Sequence, residues 1–331
     1  MLFIDGVSRQ ADRLSVCGKE TIMRYFDLHC DTLVACLQDK KSLLKNDLHV
    51  SVEKGDKYAP YIQCAAIFLP DSVRGAAAEK WFDDHADLFE KEAQSGAFTV
   101  IRTGADIEEM ENKQGTGMIL TVEGSAVLNG KLENVAHLRD RGVRMMTLTW
   151  NGSNEVGSGI MSKDSFGLTP FGALAVKEME RLGIAVDISH ASEKLFFDVA
   201  EHSTRPFVAS HSNAKALCKH PRNLSDEQIK IMCQRDCLVG LNYFKAFLND
   251  EPDKADVEDL YRHAEHFLSL GGANILAMGS DFDGASMPTG ITGLESMEDV
   301  ANVFLRHNLP EALVNKIFFE NAAEFFKRFD K

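Results

Sequence analysis

The sequence predicts a single domain with an α/β fold, a closed (β/α)8 barrel of the TIM type. First, eight short apolar runs rich in β-branched residues recur along the 331 residues. Second, stretches with helical periodicity separate these runs, so neighbouring strands are expected to pair in parallel. Third, the first run is followed by HCDTL, without the glycine-rich phosphate loop of a doubly wound open sheet. Chains of this length commonly form one barrel domain.

The strands are predicted from apolar runs that end at polar or glycine-containing residues. Runs such as LVGLN and ILAMG are apolar throughout, which indicates burial on both faces of the sheet. In chain order, the eight predicted strands are Met23–Leu28, Ile62–Leu69, Gly117–Val122, Val143–Thr149, Ile184–Ser189, Phe207–Ser210, Leu238–Asn242 and Ile275–Gly279.

The helices are predicted from 3.6-residue periodicity between the strands. In the segment LSDEQIKIM, Ser225 is a plausible N-cap and acidic residues occupy the first turn, where the helix dipole favours them. No repeat or long Pro/Gly linker divides the chain, so residues 1–331 are treated as one domain and residues 1–20 as an N-terminal appendage. Predicted helices include Phe171–Leu182, Glu193–Glu201, Ser225–Arg235, Val257–Leu270 and a last helix, Leu313–Phe329.

Composition excludes several classes of partner. The chain has 36 Lys and Arg against 50 Asp and Glu, a net charge of −14, so nucleic acid and anionic membrane surfaces are not expected partners. No apolar run reaches the ~20 residues of a membrane-spanning helix, and the first residues are too short for a secretory signal core. Seven scattered cysteines indicate reduced thiols and a cytoplasmic location.

Polar residues follow five of the predicted strands, at the end of the barrel where active sites form. In extended chain, His29 and Asp31 point the same way, about 6.6 Å apart at ~3.3 Å per residue. Such a pair can simply form a hydrogen bond at a loop, but here other strand ends supply further ligand-type side chains. The set is His29, Asp31, Glu123, His190, His211 and Asp281.

Three imidazoles and two or three carboxylates match the nitrogen and oxygen ligands that zinc prefers. Six groups are too many for one tetrahedral ion, so the sequence favours two ions about 3.5–4 Å apart with one bridging carboxylate. Glu123 is the natural bridge, because the third strand can lie between the first-strand pair and the two histidines. The alternative is a single zinc ion, with the spare groups acting as acids or bases.

Other motifs receive no catalytic role. The DFDG segment lacks the glycine and glutamate of an EF-hand loop, and the glycine-rich segment 151–159 lacks the Gly-Lys-Ser/Thr of a phosphate loop. Asp187 lies on the opposite strand parity from His190 and is assigned no function, and His220 is left open. Seven histidines are expected to be structural: His49, His85, His137, His202, His263, His266 and His307.

Five segments, in order between residues 24 and 285, resemble those of the membrane (renal) dipeptidase family of the metal-dependent amidohydrolase superfamily. They are FDLHCDTL, TVEG, VDISHAS, SHSNAKALCKHPRNLSDEQI and MGSDFDG. The long segment around His211 is the most specific. The resemblance implies a zinc-dependent dipeptidase, often tolerant of a D-residue at the C-terminal position of the substrate.

By position, the resemblance implies a binuclear zinc site. His29 and Asp31 would bind one ion, His190 and His211 the other, and Glu123 would bridge both. A metal-bridging hydroxide would attack the peptide carbonyl while Asp281 transfers the proton to the departing amine. Arg222 would hold the substrate carboxylate with its planar guanidinium.

One position departs from the family pattern. Mammalian members have a histidine after the fourth strand that binds substrate, and the matching residue here is Trp150. An indole donates one hydrogen bond but carries no charge, so either the metal alone stabilises the oxyanion or the pocket fits a different substrate.

Two other functions remain open from the sequence. One is hydrolysis of lactones, cyclic amides or organophosphates by a related binuclear site, and the other is a non-catalytic barrel. The expected partner is a small dipeptide, and a homodimer is expected by analogy only.

Overall fold

The computed structural model describes residues 15–16, 19–20 and 22–329, and its centre is a closed barrel of eight parallel strands. Each strand pairs with the next in chain order, and Met278 pairs with Asp27 to join the last strand to the first. The predicted barrel is confirmed. The strands are β1 Tyr25–Cys30, β2 Tyr61–Phe68, β3 Thr116–Glu123, β4 Val143–Thr147, β5 Ala185–Asp187, β6 Val208–Ala209, β7 Leu238–Leu241 and β8 Leu276–Met278.

Helices connect the strands and surround the barrel. A π-helical turn, Lys316–Glu320, joins the last two helices, and no helix among residues 22–329 is long and apolar enough to cross a membrane. The α-helices are α1 Thr32–Asp39, α2 Val52–Gly55, α3 Ala76–Ala93, α4 Gly104–Glu111, α5 Glu133–Asp140, α6 Pro170–Leu182, α7 Glu193–His202, α8 Asp226–Gln234, α9 Lys245–Leu248, α10 Val257–Ser269, α11 Met297–Arg306, α12 Glu311–Asn315 and α13 Asn321–Phe329.

The predicted helices are found where periodicity placed them, with ends shifted by one or two residues, and the last of them, Leu313–Phe329, is interrupted by the π-helical turn. Ser225 is the N-cap of α8, as expected: its hydroxyl accepts the backbone N–H of Gln228, and the Gln228 side chain accepts the N–H of Ser225. This reciprocal capping box satisfies two N–H groups that the helix itself leaves unpaired.

Three short strands lie outside the eight that the sequence predicts. Phe98–Val100 adds a strand beside the N-terminal half of β3, with Phe98 opposite Thr116. Ser15–Val16 and Lys19–Glu20 pair as an antiparallel ribbon inside the segment interpreted as an appendage. Strands of two or three residues are too short for a two-residue alternation to stand out.

The core has two layers because side chains alternate between the two faces of each strand. Phe26 and Leu28 of β1 belong to the cluster that fills the barrel, and α13 closes its N-terminal end, where Phe326 stacks on Phe26 with ring centroids 5.8 Å apart. The larger cluster lies between the strands and the surrounding helices. The C-terminal strand ends are thereby left to form the opposite rim.

A bulge in β1 determines the direction of the His29 side chain, the first of the predicted ligands. Asp27 pairs with Gln63 and Cys30 pairs with Ala65, so β1 has one more residue than β2 over this interval. The additional residue breaks the strict alternation, and His29 turns to the inside of the barrel directly after the inward Leu28.

Candidate metal centre

Glu123, the last residue of β3, lies at the centre of the rim. Its Oε1 is 2.8 Å from Nε2 of His190 and 3.6 Å from Nε2 of His211. Its Oε2 is 3.5 Å from Nε2 of His29, which is also 3.5 Å from Oδ2 of Asp31. The structure therefore brings together the five side chains that the sequence nominated as ligands, with the two oxygens of Glu123 directed to different groups.

The chemistry of these donors fits bound metal. His29 Nε2 and Asp31 Oδ1 are buried atoms without a hydrogen-bond partner, which is costly unless something binds them. Two sets of ligand atoms, each within 4.8 Å of one another, share His29: one with Glu123 and His211, the other with Asp31 and Asp281. Nitrogen and oxygen donors in this number suit zinc and similar divalent ions.

His190 and His211 each make a hydrogen bond through Nδ1, the ring nitrogen that faces away from Glu123. His190 Nδ1 donates to Asn151 Oδ1 at 3.0 Å, and His211 Nδ1 lies 2.7 Å from Ser210 Oγ. The two Nε2 atoms face each other at 3.1 Å. His190 has a φ of +66°, a conformation that is uncommon for residues other than glycine and that concentrates at functional sites.

The pKa values of the acidic groups at the rim depend on burial and on the neighbouring histidines. Burial alone would raise the pKa of Glu123, but His29 and His190 outweigh burial and hold that pKa well below its usual range. Burial, together with Glu123 and Asp281, raises the pKa of Asp31 to about 7 despite the opposing effect of His29. The side chains alone therefore do not balance the buried negative charge, which favours a cation here.

The pKa values of the three histidines are shifted in different directions. Burial would lower the pKa of His29, but Glu123 and Asp31 raise it well above its usual range. Burial and Arg222 lower the pKa of His190. Burial, His29 and Arg222 lower the pKa of His211 well below its usual value. The His190 and His211 rings are thus held neutral, the protonation state that binds metal.

Asp281 follows β8 and faces the same rim. Its Oδ2 accepts a hydrogen bond of 3.0 Å from Asn242 Nδ2, and its φ is +62°. Gly284 lies against it: a Cβ at Gly284 would be 1.9 Å from Asp31 Oδ2 and 2.8 Å from Asp281 Oδ1. The glycine of DFDG is therefore needed for close packing against the two carboxylates.

A cavity of about 470 Å3 opens onto Glu123, His190 and Asp281. Arg222 lines it from a buried position, with its guanidinium hydrogen-bonded to Ser212 Oγ at 3.4 Å and to the His211 carbonyl at 3.2 Å. Burial lowers the pKa of Arg222 to about 10, so it remains a cation at neutral pH. Its Nε is buried and has no protein partner.

Aromatic side chains form the cavity walls. Trp150 packs edge-on against Phe68, with ring centroids 4.9 Å apart, and its ring lies 6.2 Å from that of His190. Phe247 lies under the Arg222 guanidinium at 5.3 Å and against the His220 ring at 4.3 Å. Trp150, Arg222 and His220 thus all lie at the cavity.

The seven histidines expected to be structural do not line this cavity, and each hydrogen-bonds to another protein group. Sequence reasoning overlooked Asn151, Ser210 and Asn242, which contact His190, His211 and Asp281. A small polar residue beside a ligand in sequence was the available signal for Ser210 alone, whereas Asn151 and Asn242 follow other strand ends.

Comparisons with known proteins identify the family of the chain. A family model described as membrane dipeptidase (peptidase family M19) matches residues 19–331. A Klebsiella pneumoniae protein described as an uncharacterized protein in the pqqA 5' region is 30% identical over 236 residues, which cover 69% of this chain and 87% of that protein.

Two solved structures are similar in both sequence and fold. The crystal structure of dipeptidase AC, a metallopeptidase of family M19, is 28% identical with a TM-score of 0.88, covering 94% of this chain and 100% of that one. A Rhodobacter sphaeroides metallopeptidase, liganded with a phosphinate mimic of the dipeptide L-Ala-D-Ala, is 27% identical with a TM-score of 0.86, covering 93% of this chain and 100% of that one.

Proposed function

This chain belongs to the membrane dipeptidase family, peptidase family M19, and from that premise we propose that it hydrolyses dipeptides with two zinc ions at the barrel rim. His29 and Asp31 would hold one ion, His190 and His211 the other, and Glu123 would bridge them. The observation that carries this proposal is the position of Glu123, whose Oε2 faces His29 and whose Oε1 faces His190 and His211.

The metal pair, when bound, would polarise the scissile carbonyl and lower the pKa of the attacking water. Asp281 is the proposed proton carrier: its Oδ2 is held by Asn242, which leaves Oδ1 to accept a proton from the water. The same carboxyl group would then return that proton to the departing amine. No serine or cysteine nucleophile is required for this route.

Arg222 is the proposed anchor for the carboxylate of the substrate. Its guanidinium is buried, positively charged and adjacent to the cavity, with an unpartnered Nε–H. A free α-carboxylate placed there fixes the C-terminal end of the substrate, so the scissile bond lies one residue away. This geometry favours substrates with a free C-terminal carboxylate over uncharged lactones, cyclic amides or organophosphates.

Trp150 is the proposed wall beside the N-terminal part of the substrate. Its ring packs on Phe68 and faces the cavity, so it offers an apolar surface and one N–H donor. Without an imidazole at this position, the developing negative charge on the carbonyl oxygen would depend on the metal ions.

Tolerance of a D-residue at the C-terminal position is also proposed. Its support is the R. sphaeroides relative, whose structure contains a mimic of L-Ala-D-Ala. A cytoplasmic location remains a prediction, supported by six cysteines that are free thiols in the described residues. A homodimer likewise remains a prediction by analogy.

A panel of substrates tests the proposal. Zinc-loaded protein should release amino acids from L-Ala-L-Ala and L-Ala-D-Ala, and chelation should abolish that release. D281N should retain its zinc and lose turnover by roughly 10²–10⁴-fold, the usual contribution of a general acid–base group. Inactivity on every dipeptide together with hydrolysis of a lactone would contradict the proposal, as would near-normal turnover by D281N.

A further inference from the structure

Asp187, which has no function assigned from sequence alone, contacts Ser210, the residue before His211, and accepts four hydrogen bonds. Its Oδ1 accepts the backbone N–H groups of Ser189 and Ser210, at 2.9 and 3.0 Å. Its Oδ2 accepts the hydroxyls of Ser210 and Thr147, each at 2.6 Å. Asp187 is completely buried, and these four donors hold its carboxylate in one orientation.

The Ser210 hydroxyl connects that carboxylate to His211. A serine has one hydroxyl proton, and an ionised carboxylate can only accept, so the 2.6 Å contact with Asp187 uses that proton. Ser189 Oγ, at 3.2 Å from Ser210 Oγ, is a longer and uncharged alternative acceptor. At the 2.7 Å contact with His211 Nδ1, the Ser210 oxygen must therefore accept.

We propose that Asp187 acts through Ser210 as a positioning residue that sets the tautomer of His211. If the Ser210 oxygen accepts, His211 must carry its proton on Nδ1, and the lone pair is then on Nε2. This Nε2 lies 3.6 Å from Glu123 Oε1 and 3.1 Å from His190 Nε2. The His211 ring is thereby ready to bind metal before any metal arrives. The part of this inference that concerns metal affinity rests on the proposed binuclear site, whereas the tautomer does not.

His190 offers an internal comparison. Its Nδ1 donates to Asn151, a neutral amide on a loop, at 3.0 Å. The partner of His211 is instead connected to a buried charge on β5, and hydrogen bonds that involve an ionised group are roughly twice as strong as neutral ones. The preference for one tautomer is therefore expected to be stronger at His211 than at His190.

The first test is the tautomer of His211 in the metal-free full-length protein, from imidazole nitrogen-15 shifts by NMR. Wild type should show a protonated Nδ1 and an unprotonated Nε2. S210A removes the acceptor, so the fraction with a protonated Nε2 should increase. In D187N, the amide would donate to Ser210 Oγ and turn its proton toward His211 Nδ1, which should make the protonated Nε2 form dominant.

The second test is zinc affinity, measured by competition with a chelator. S210A and D187N should bind the weaker of the two ions roughly 10- to 100-fold less tightly, as is usual when the partner of a ligating histidine is lost. T147V is the matched control, because Thr147 donates to the same Asp187 oxygen but does not contact His211. T147V should bind zinc within about twofold of wild type, whatever its melting temperature.

Several results would overturn the inference. A protonated Nε2 in metal-free wild type would do so without any variant, and so would wild-type tautomer and zinc affinity in both S210A and D187N. A loss of zinc affinity in T147V as large as in S210A would indicate general loosening of the rim. Inactivity toward dipeptides would refute the proposed function and leave the tautomer result standing.

Discussion

At the scale of single residues, Glu123 is the side chain on which the two halves of the site depend. We expect E123Q to reduce bound zinc from two ions per chain to one or fewer, because an amide presents only one oxygen and no charge to the pair. Zinc content after dialysis against a slight excess of zinc measures this, with circular dichroism to verify the fold. Two zinc ions per E123Q chain would exclude the bridge.

A matched control for that variant is E180Q. Glu180 is also a buried glutamate, but its oxygens accept from Thr204 N at 3.0 Å and Thr204 Oγ1 at 2.6 Å, away from the rim. E180Q should lose stability and keep both zinc ions. The comparison separates loss of a buried charge from loss of the bridge.

Arg222 gives a prediction about substrate recognition. R222M should raise KM for dipeptides on the order of 10- to 100-fold, as expected when a charge-assisted hydrogen bond worth roughly 1.5–3 kcal/mol is lost. KM for the same dipeptides with an amidated C-terminus should change little, since they offer no carboxylate. Steady-state kinetics on both substrate series measures the difference.

R235M is the control for the arginine. Arg235 also uses its guanidinium to hold backbone carbonyls, those of Ala200 and Ser203 at 2.7 Å, but it does not line the cavity. It should affect stability without discriminating between free and amidated substrates. Equal KM increases for both series in R222M would count against the carboxylate anchor.

At the scale of elements, the order of the strands could be predicted from the sequence, but the direction in which individual side chains point could not. Each strand end that carries a ligand could be found because a polar residue interrupts an apolar run, and parallel pairing brings all such ends to one rim. The direction of His29 depends on the bulge between Asp27 and Cys30. Nothing in the alternation of YFDLHC reveals it, because the partner strand decides the register.

Asp27 shows what stabilises that bulge. Its Oδ1 accepts the N–H of His29 at 3.2 Å and that of Ser280 at 2.8 Å, across to the chain that follows β8. Asp187 does the same for β5 and β6. Asp27 and Asp187 thus hold the backbone at the ends of two strands, two and three residues before the histidines His29 and His190. From a single sequence, such residues are recognisable only as acidic side chains inside an apolar strand.

The loop after β8 provides a prediction at this scale. G284A should reduce zinc affinity and activity by about 100-fold or more, because the added carbon would lie 1.9 Å from Asp31 Oδ2 and one of the carboxylates must move. G96A is the control: Gly96 has a φ of +71° but no atom within 4 Å of an added carbon. It should cost stability and leave zinc binding intact, and wild-type zinc affinity in G284A would contradict the packing argument.

At the scale of the whole molecule, the barrel and the type of enzyme could be predicted from the sequence. The hydrogen bonds that connect distant loops could not. His263 is an example: it was predicted only to be structural. Its Nδ1 accepts the N–H of Ala214, after β6, at 3.1 Å, and its Nε2 donates to the carbonyl of Leu248, after β7, at 3.0 Å. One completely buried ring on α10 thus joins two loops of the rim, and sequence spacing does not encode such a contact.

This ring predicts how stability depends on pH. Burial lowers the pKa of His263 to about 4, below the ~6.5 expected in the unfolded chain, so the unfolded state binds more protons between these values. The contribution of His263 is therefore constant above about pH 7 and is lost as pH falls toward 4, by about 2 kcal/mol at pH 5. Urea unfolding of wild type between pH 5 and 8 measures the slope.

The comparison with H263Q isolates this effect from other titrating groups. Asp27 and Asp31 have pKa values raised by burial to about 6 and about 7, so they stabilise the fold as pH falls and partly mask the loss. Because they are common to both proteins, the difference in unfolding free energy between wild type and H263Q should shrink by about 2 kcal/mol from pH 8 to pH 5. A difference that is constant with pH would contradict the lowered pKa, because it requires His263 to bind a proton equally well in the folded and unfolded states.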